Sequence, residues 1–244
     1  MEYALQYPSV ALSPASARVA FIRRTYAHLA GAILVFTAVL WMIFNVVPAR
    51  DLDAVMLQYI RIPFSQFILM AAFIGVGCLA RWWAYSGASP AVQYAGLGAY
   101  ILIEAVIFVP LLWVLTRYAG GDDPTYAARM LTQAGILTLC LFGGLTSVVF
   151  ITRKDFSFLG PILAIAGFLA FGMIILAMIF GFSLGLWFSF AMVALISGFI
   201  LYDTSNVLHR FRTDMHVAAS LELFASIAVL FYYILMILMS RNSR

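Results

Sequence analysis

Seven long apolar runs, each of about 20 residues or more, divide this 244-residue chain almost from end to end, with only short charged or Pro/Gly-bearing stretches between them. As a helix rising ~1.5 Å per residue, a run of that length matches the ~30 Å hydrocarbon core of a bilayer. The chain therefore reads as an all-α integral membrane protein of about seven transmembrane helices. The runs lie near residues 24–47, 64–85, 90–118, 126–151, 158–180, 184–210 and 215–240. Only Gly181-Phe182-Ser183-Leu184-Gly185 separates the fifth from the sixth. Composition agrees, at 65% hydrophobic and 10% charged residues, against about a quarter charged in soluble domains. No large soluble domain fits beside seven spans. Residues 1–22 read as a short polar arm made flexible by Pro8, Pro14 and its serines, and residues 23–244 as a single seven-helix membrane domain. Ala15-Ser16-Ala17 superficially resembles a signal-peptidase site, but neither a basic segment nor a continuous apolar stretch precedes it.

The formal net charge of +4 does not point to nucleic acid, because the basic residues are scattered among the gaps instead of gathered on one face. Membrane lipid is the expected surrounding. Those residues act as topology signals. With the N-terminus cytoplasmic, that side holds Arg18, Arg23, Arg24, Arg81, Arg153, Lys154, Arg210 and Arg212, against Arg50, Arg61, Arg117, Arg129, Arg241 and Arg244 outside. Asp51, Asp53, Asp122 and Asp123 fall in the outer loops under the same choice. Cys78 and Cys140 sit inside apolar runs without the spacing of a disulfide framework or a zinc site. Small residues in the spans, among them Gly75, Gly77, Gly96, Gly98, Gly143, Gly144, Ala194, Gly198, Ala225, Ser226 and Ala228, read as helix-packing positions. Ser157 reads as the N-cap of the fifth span, with Pro161 in its first turn.

Three acids interrupt the apolar runs: Glu104, Asp203 and Glu222. An ionised carboxylate near a bilayer centre costs about 2.5–3.5 kcal/mol on insertion scales, so such acids usually line a polar cavity or an ion or proton path. Asp203 lies nine residues before Arg212 and Glu222 ten after it. The two spans around that turn run antiparallel, so both acids reach about 13–15 Å below it and can face each other. Such a pair would share a proton or bind a cation, with calcium the candidate metal at Asp203 and Glu222. Asp203, Asn206 and Arg210 form one helical stripe and Glu222 and Ser226 another, the latter continuing into Val229 and Tyr233 as an apolar plug. Arg210 is the nearest counter-charge in sequence. His209 and His216 flank the same turn as pH-sensing candidates or as solvated loop histidines, and His28 reads as interfacial. The alternative for all three acids is protonated interhelical glue.

Arg23-Arg24-Thr25-Tyr26, Thr152-Arg153-Lys154-Asp155-Phe156-Ser157-Phe158-Leu159-Gly160, Leu201-Tyr202-Asp203-Thr204 and Leu221-Glu222-Leu223-Phe224 together resemble the Bax inhibitor, or transmembrane Bax inhibitor motif, family in its bacterial form. The resemblance implies a seven-helix fold whose C-terminal helix is central in the bundle. It also implies an acidic pair on the sixth and seventh helices controlling a pH-dependent calcium leak. Asp203 matches the family's sixth-helix acid. The usual seventh-helix acid corresponds to Ser226, and Glu222 matches a second acid found one turn earlier in some members. Bacterial members also look like modulators of a membrane-anchored AAA protease, and the membrane implied is the bacterial cytoplasmic (inner) one.

The leading expectation is a cation leak gated by Asp203 and Glu222, and the rival is a non-transporting partner of such a protease. Enzyme readings are weak. A G-x-G-D motif is missing from the sequence, the histidines fall near span ends, and the only lysine, Lys154, lies in a loop. Neither catalytic residues nor an organic cofactor are expected.

Overall fold

The computed structural model describes residues 9–85, 89–119, 123 and 125–242, the side chains of Arg241 and Asn242 aside. Positions 1–8 of the expected arm, Asp122, Arg244 and the Arg241 side chain lie outside the described residues. Eight helices follow in order among those described: α1 (Ala15–Val46), α2 (Ala49–Arg61), α3 (Ser65–Tyr85), α4 (Pro90–Val114), α5 (Tyr126–Thr152), α6 (Leu159–Phe180), α7 (Gly185–His209) and α8 (His216–Asn242). All except α2 are long and apolar enough to cross a membrane. The chain is an all-α integral membrane protein.

The bundle is organised around α8, which packs against α1, α3, α4, α5 and α7. From Val217 to Leu235 its side chains are buried on every side except at Glu222, Val229 and Phe231 to Tyr233. A helix apolar all round and enclosed by others is the core of a membrane bundle, as the resemblance implied for the C-terminal helix. By contrast α6 buries only Leu163 and lies at the periphery against α7.

Three local expectations are corrected. The arm expected over residues 1–22 is ordered from Ser9: Val10–Leu12 forms a short 3-10 turn, and α1 begins at Ala15 behind Pro14. Val10 is fully buried, its N–H donates to the Phe211 carbonyl at 2.8 Å, and Ser9 pairs with Arg212. Arg18 reinforces this strap by donating to the carbonyls of Val10 (3.1 Å) and Ala11 (2.9 Å). The loop expected between the first two spans contains α2, an amphipathic helix that buries Leu52 and Met56. Its Asp53 accepts from Trp113 Nε1 at 2.8 Å and Arg117 Nε at 3.2 Å, pinning α2 across the bundle end opposite the α7–α8 turn. Ser157 does not cap α6, whose N-cap is Phe158 without a side-chain cap bond; Asp155 instead closes the turn before it, accepting the Ser157 N–H at 2.9 Å.

The small residues divide into two groups. Gly96 lets α4 approach α3 so closely that a Cβ there would sit 2.8 Å from the Ala80 carbonyl oxygen, and one at Gly198 would sit 2.7 Å from Leu163 Cδ2. Gly75, Gly98, Gly143 and Gly144 face open space instead. Gly96→Ala must therefore push backbone against backbone, at a cost of about 1–3 kcal/mol. Gly98→Ala, with room for its methyl, gains helix propensity of roughly 0.5–1 kcal/mol. Thermal unfolding in detergent should show the first variant melting lower than the parent and the second at or above it.

Candidate functional site

Near the turn of the α7–α8 hairpin, the common depth of Asp203 and Glu222 brings them with Asn206 and Ser226 to one cavity of about 630 Å³. Helix α3 contributes Arg81 and Tyr85 to its wall, and α4 contributes Tyr100. Periodicity explains the grouping: Asp203 and Asn206 are one turn apart on α7, as are Glu222 and Ser226 on α8, so each helix turns one polar stripe inward. Phe211 closes the cavity at the α7–α8 turn, with its ring 6.1 Å from that of Tyr85. The Val10 strap is hydrogen-bonded to that same residue.

The two acids are not bonded to each other. Asp203 accepts a hydrogen bond from Ser226 Oγ at 2.8 Å, which ties α7 to α8. Glu222 instead faces α3, where Arg81 Nε reaches both carboxylate oxygens at 3.1 and 3.3 Å and the Tyr85 hydroxyl donates at 3.3 Å. Thus the position where the family resemblance places an acid, Ser226, serves as the hydrogen-bond donor to Asp203. Glu222 supplies the second charge one turn away. Glu222 is thus ion-paired with Arg81. Among the described residues no three His, Cys, Asp or Glu side chains gather as ligands, and both oxygens of Glu222 are engaged by Arg81.

Arg81 is the residue that sequence reasoning missed. Four positions from the end of an apolar helix, it reads as a topology or snorkelling residue, and nothing local to it names a partner 141 positions away. The expected counter-charge, Arg210, is corrected: it caps the C-terminus of α7, exposed, and does not line the cavity. The histidines also stand apart from the acids. His209 Nδ1 bonds back to the Ser205 carbonyl at 3.0 Å. His216 packs on His28, with centroids 4.9 Å apart, and both neighbour Tyr94, whose hydroxyl lies 2.8 Å from His28 Nε2 and 3.5 Å from His216 Nε2. His28 is therefore part of a cluster with His216 and Tyr94.

Glu104 joins the group indirectly. The Arg81 guanidinium lies over the Tyr100 ring, 5.7 Å from its centroid, and the Tyr100 hydroxyl donates to Glu104 one turn along α4. Glu104 itself lines a second cavity, of about 720 Å³, toward the opposite end of the bundle. Phe73 and Val229 line both cavities and so form the partition between them, and Tyr233 lies on the far side. The apolar plug expected at Val229 and Tyr233 occupies this place. Outside the spans, Asp155 accepts the Ser157 amide, which holds its carboxyl below the ordinary value of 3.8. A carboxyl lowered by folding contributes its stability above the unfolded value and loses it only as pH falls through the folded one. Asp155 is therefore ionised throughout the physiological range and is no switch there.

Comparison with known proteins finds relatives along most of the chain. Residues 18–243 match the family described as inhibitor of apoptosis-promoting Bax1. A BI1-like protein of Arabidopsis thaliana is 28% identical over 238 residues, 95% of this chain and 85% of that protein. Bax inhibitor 1 of Schizosaccharomyces pombe is 28% identical over 91% of this chain and 77% of its own length. A Campylobacter jejuni protein is 28% identical over 92% and 90%.

Removing one member of a buried ion pair strands the other, whereas removing both charges costs little. The Arg81 side chain is 44% exposed and that of Glu222 20%, so solvent reduces the cost of each single change to about 1–2 kcal/mol. Arg81→Gln and Glu222→Gln should each lower the melting temperature in detergent, and the double variant should lie above the sum of the two losses. Strict additivity would mean that the pair contributes nothing.

Proposed function

The chain belongs to the Bax inhibitor family, and from that premise and the geometry of its carboxylates we propose that it is a pH-sensitive calcium or cation leak channel gated by intramembrane acids. The observation that carries this reading is the pairing of Glu222 with Arg81 in the cavity that also holds Asp203. Arg81 occupies Glu222 as a tethered cation. A mobile cation entering from the α7–α8 turn competes with it, and Asp203, Asn206 and Ser226 supply further oxygen ligands within the same cavity. Passage onward requires the Phe73 and Val229 partition to part, which a change in how α8 packs would bring about. Ionised acids attract the cation and protonated ones do not, so flux rises with pH. In this reading the membrane is the bacterial cytoplasmic one, with the N-terminus and the α7–α8 turn on the cytoplasmic side.

Calcium flux into liposomes carrying the purified protein, followed from about pH 5 to 8, tests the proposal. The parent should pass calcium faster at the higher pH. Asp203→Asn and Glu222→Gln should each cut flux about tenfold, the equivalent of ~1.4 kcal/mol, and flatten its pH dependence. Arg81→Gln, which frees Glu222, should raise flux at low calcium. A parent protein that passes no cation at any pH would end the leak reading and turn the search toward a membrane partner such as a membrane-anchored AAA protease.

A further inference from the structure

The second cavity has a chemistry that gating does not use. Its wall comes from α3, α4, α6, α7 and α8, and its volume of about 720 Å³ falls in the range of drug-sized ligand sites, roughly 300–1,000 Å³. The lining is mostly aliphatic and aromatic, and none of its residues is Lys, Arg or His. One acid lies within it. Glu104 is only 2% exposed, and its Oε2 has no hydrogen-bond partner. Tyr100 donates to the carboxyl, while the nearest guanidinium, that of Arg81, bonds Glu222 in the neighbouring cavity.

A buried carboxyl oxygen without a partner is costly, and it persists where something else supplies a donor. Here the surroundings specify which donor. Phe73, Phe108, Phe188 and Tyr232 line the same space, and aromatic faces attract an organic cation through the ring quadrupole. An acid with aromatic walls and no competing base selects a positively charged nitrogen. The apolar bulk of the cavity selects a hydrophobic body.

We propose that this cavity is a binding site for a lipophilic amine, its protonated nitrogen donating to Glu104 Oε2 and its apolar body filling the space between α4 and α6. The ligand would reach the site from the bilayer, through the face where α6 packs on α7 alone among its close neighbours. This binding is separable from cation leakage, since it needs neither an open Phe73 and Val229 partition nor any flux.

The test is equilibrium binding of tritiated N-benzylhexylamine to the full chain in a non-ionic maltoside detergent, with empty micelles as the blank. Saturable binding is expected to the parent protein. Glu104→Gln should weaken it about tenfold or more, the loss of one charge-assisted contact. Ala177→Trp, which fills the cavity from α6, should abolish it while Glu104 stays in place. A carboxylic acid of matching size should not compete. Dodecylamine competing more strongly than free benzylhexylamine would name a membrane-borne single-chain amine as the source, and the reverse order a soluble aromatic amine. Either order upholds the site. Absence of saturable binding, equal binding by Glu104→Gln, or equal competition by the acid would overturn it, whatever the liposome flux shows.

Discussion

A polar side chain on a helix that touches neither water nor lipid must be satisfied by another helix, and this constraint on α8 orders the whole bundle. Hydrophobic exclusion cannot hold helices together in lipid, where the solvent is as apolar as leucine. The central helix is instead held by close packing over Val217 to Leu235 and by two polar ties. Ser226 bonds Asp203 of α7, and Glu222 bonds Arg81 of α3. Each tie joins α8 to a different side of the bundle, so the two together help to set the positions of α3 and α7 about it.

Those ties also explain why the interior is two chambers. Near the α7–α8 turn the polar stripes of α7 and α8 converge with Arg81, giving a chamber that holds charge. One turn beyond Ser226 the α8 stripe becomes Val229, which with Phe73 closes that chamber off. Past the partition the walls are apolar and aromatic, and Glu104 stands there with one oxygen unsatisfied. Tyr100 connects the two regions, touching Arg81 with its ring and Glu104 with its hydroxyl. The proposed cation site lies in the first chamber and the proposed amine site in the second.

The N-terminal strap adds a constraint from outside the membrane-spanning helices. Residue Val10 is buried against the α7–α8 turn, and its amide holds the carbonyl of Phe211, whose ring closes the charged chamber. Pro14 and the serines of this segment suggest flexibility when read alone. Contact with a turn some 200 residues away in sequence overrides that local preference, as tertiary packing commonly does for short polar segments.

Read alone, the amino-acid sequence determined what depends on local chemistry: which runs are long and apolar enough to span, which acids are out of place in them, and that the α7–α8 hairpin sets Asp203 and Glu222 at one depth. Those follow from hydropathy and the ~1.5 Å helical rise, both read off consecutive residues. It also held the amphipathic pattern of α2, too short and too polar to stand out beside the spans. Only the tertiary structure decided which partner each acid takes, because the order of helices around α8 is not written in any one of them. Arg81 meets Glu222 across 141 positions, while Arg210, two turns from Asp203 on the same helix, is carried to the exposed helix end. Hydrogen bonds and ion pairs act over a few ångströms, so proximity in space, set by the packing of the bundle, assigns them.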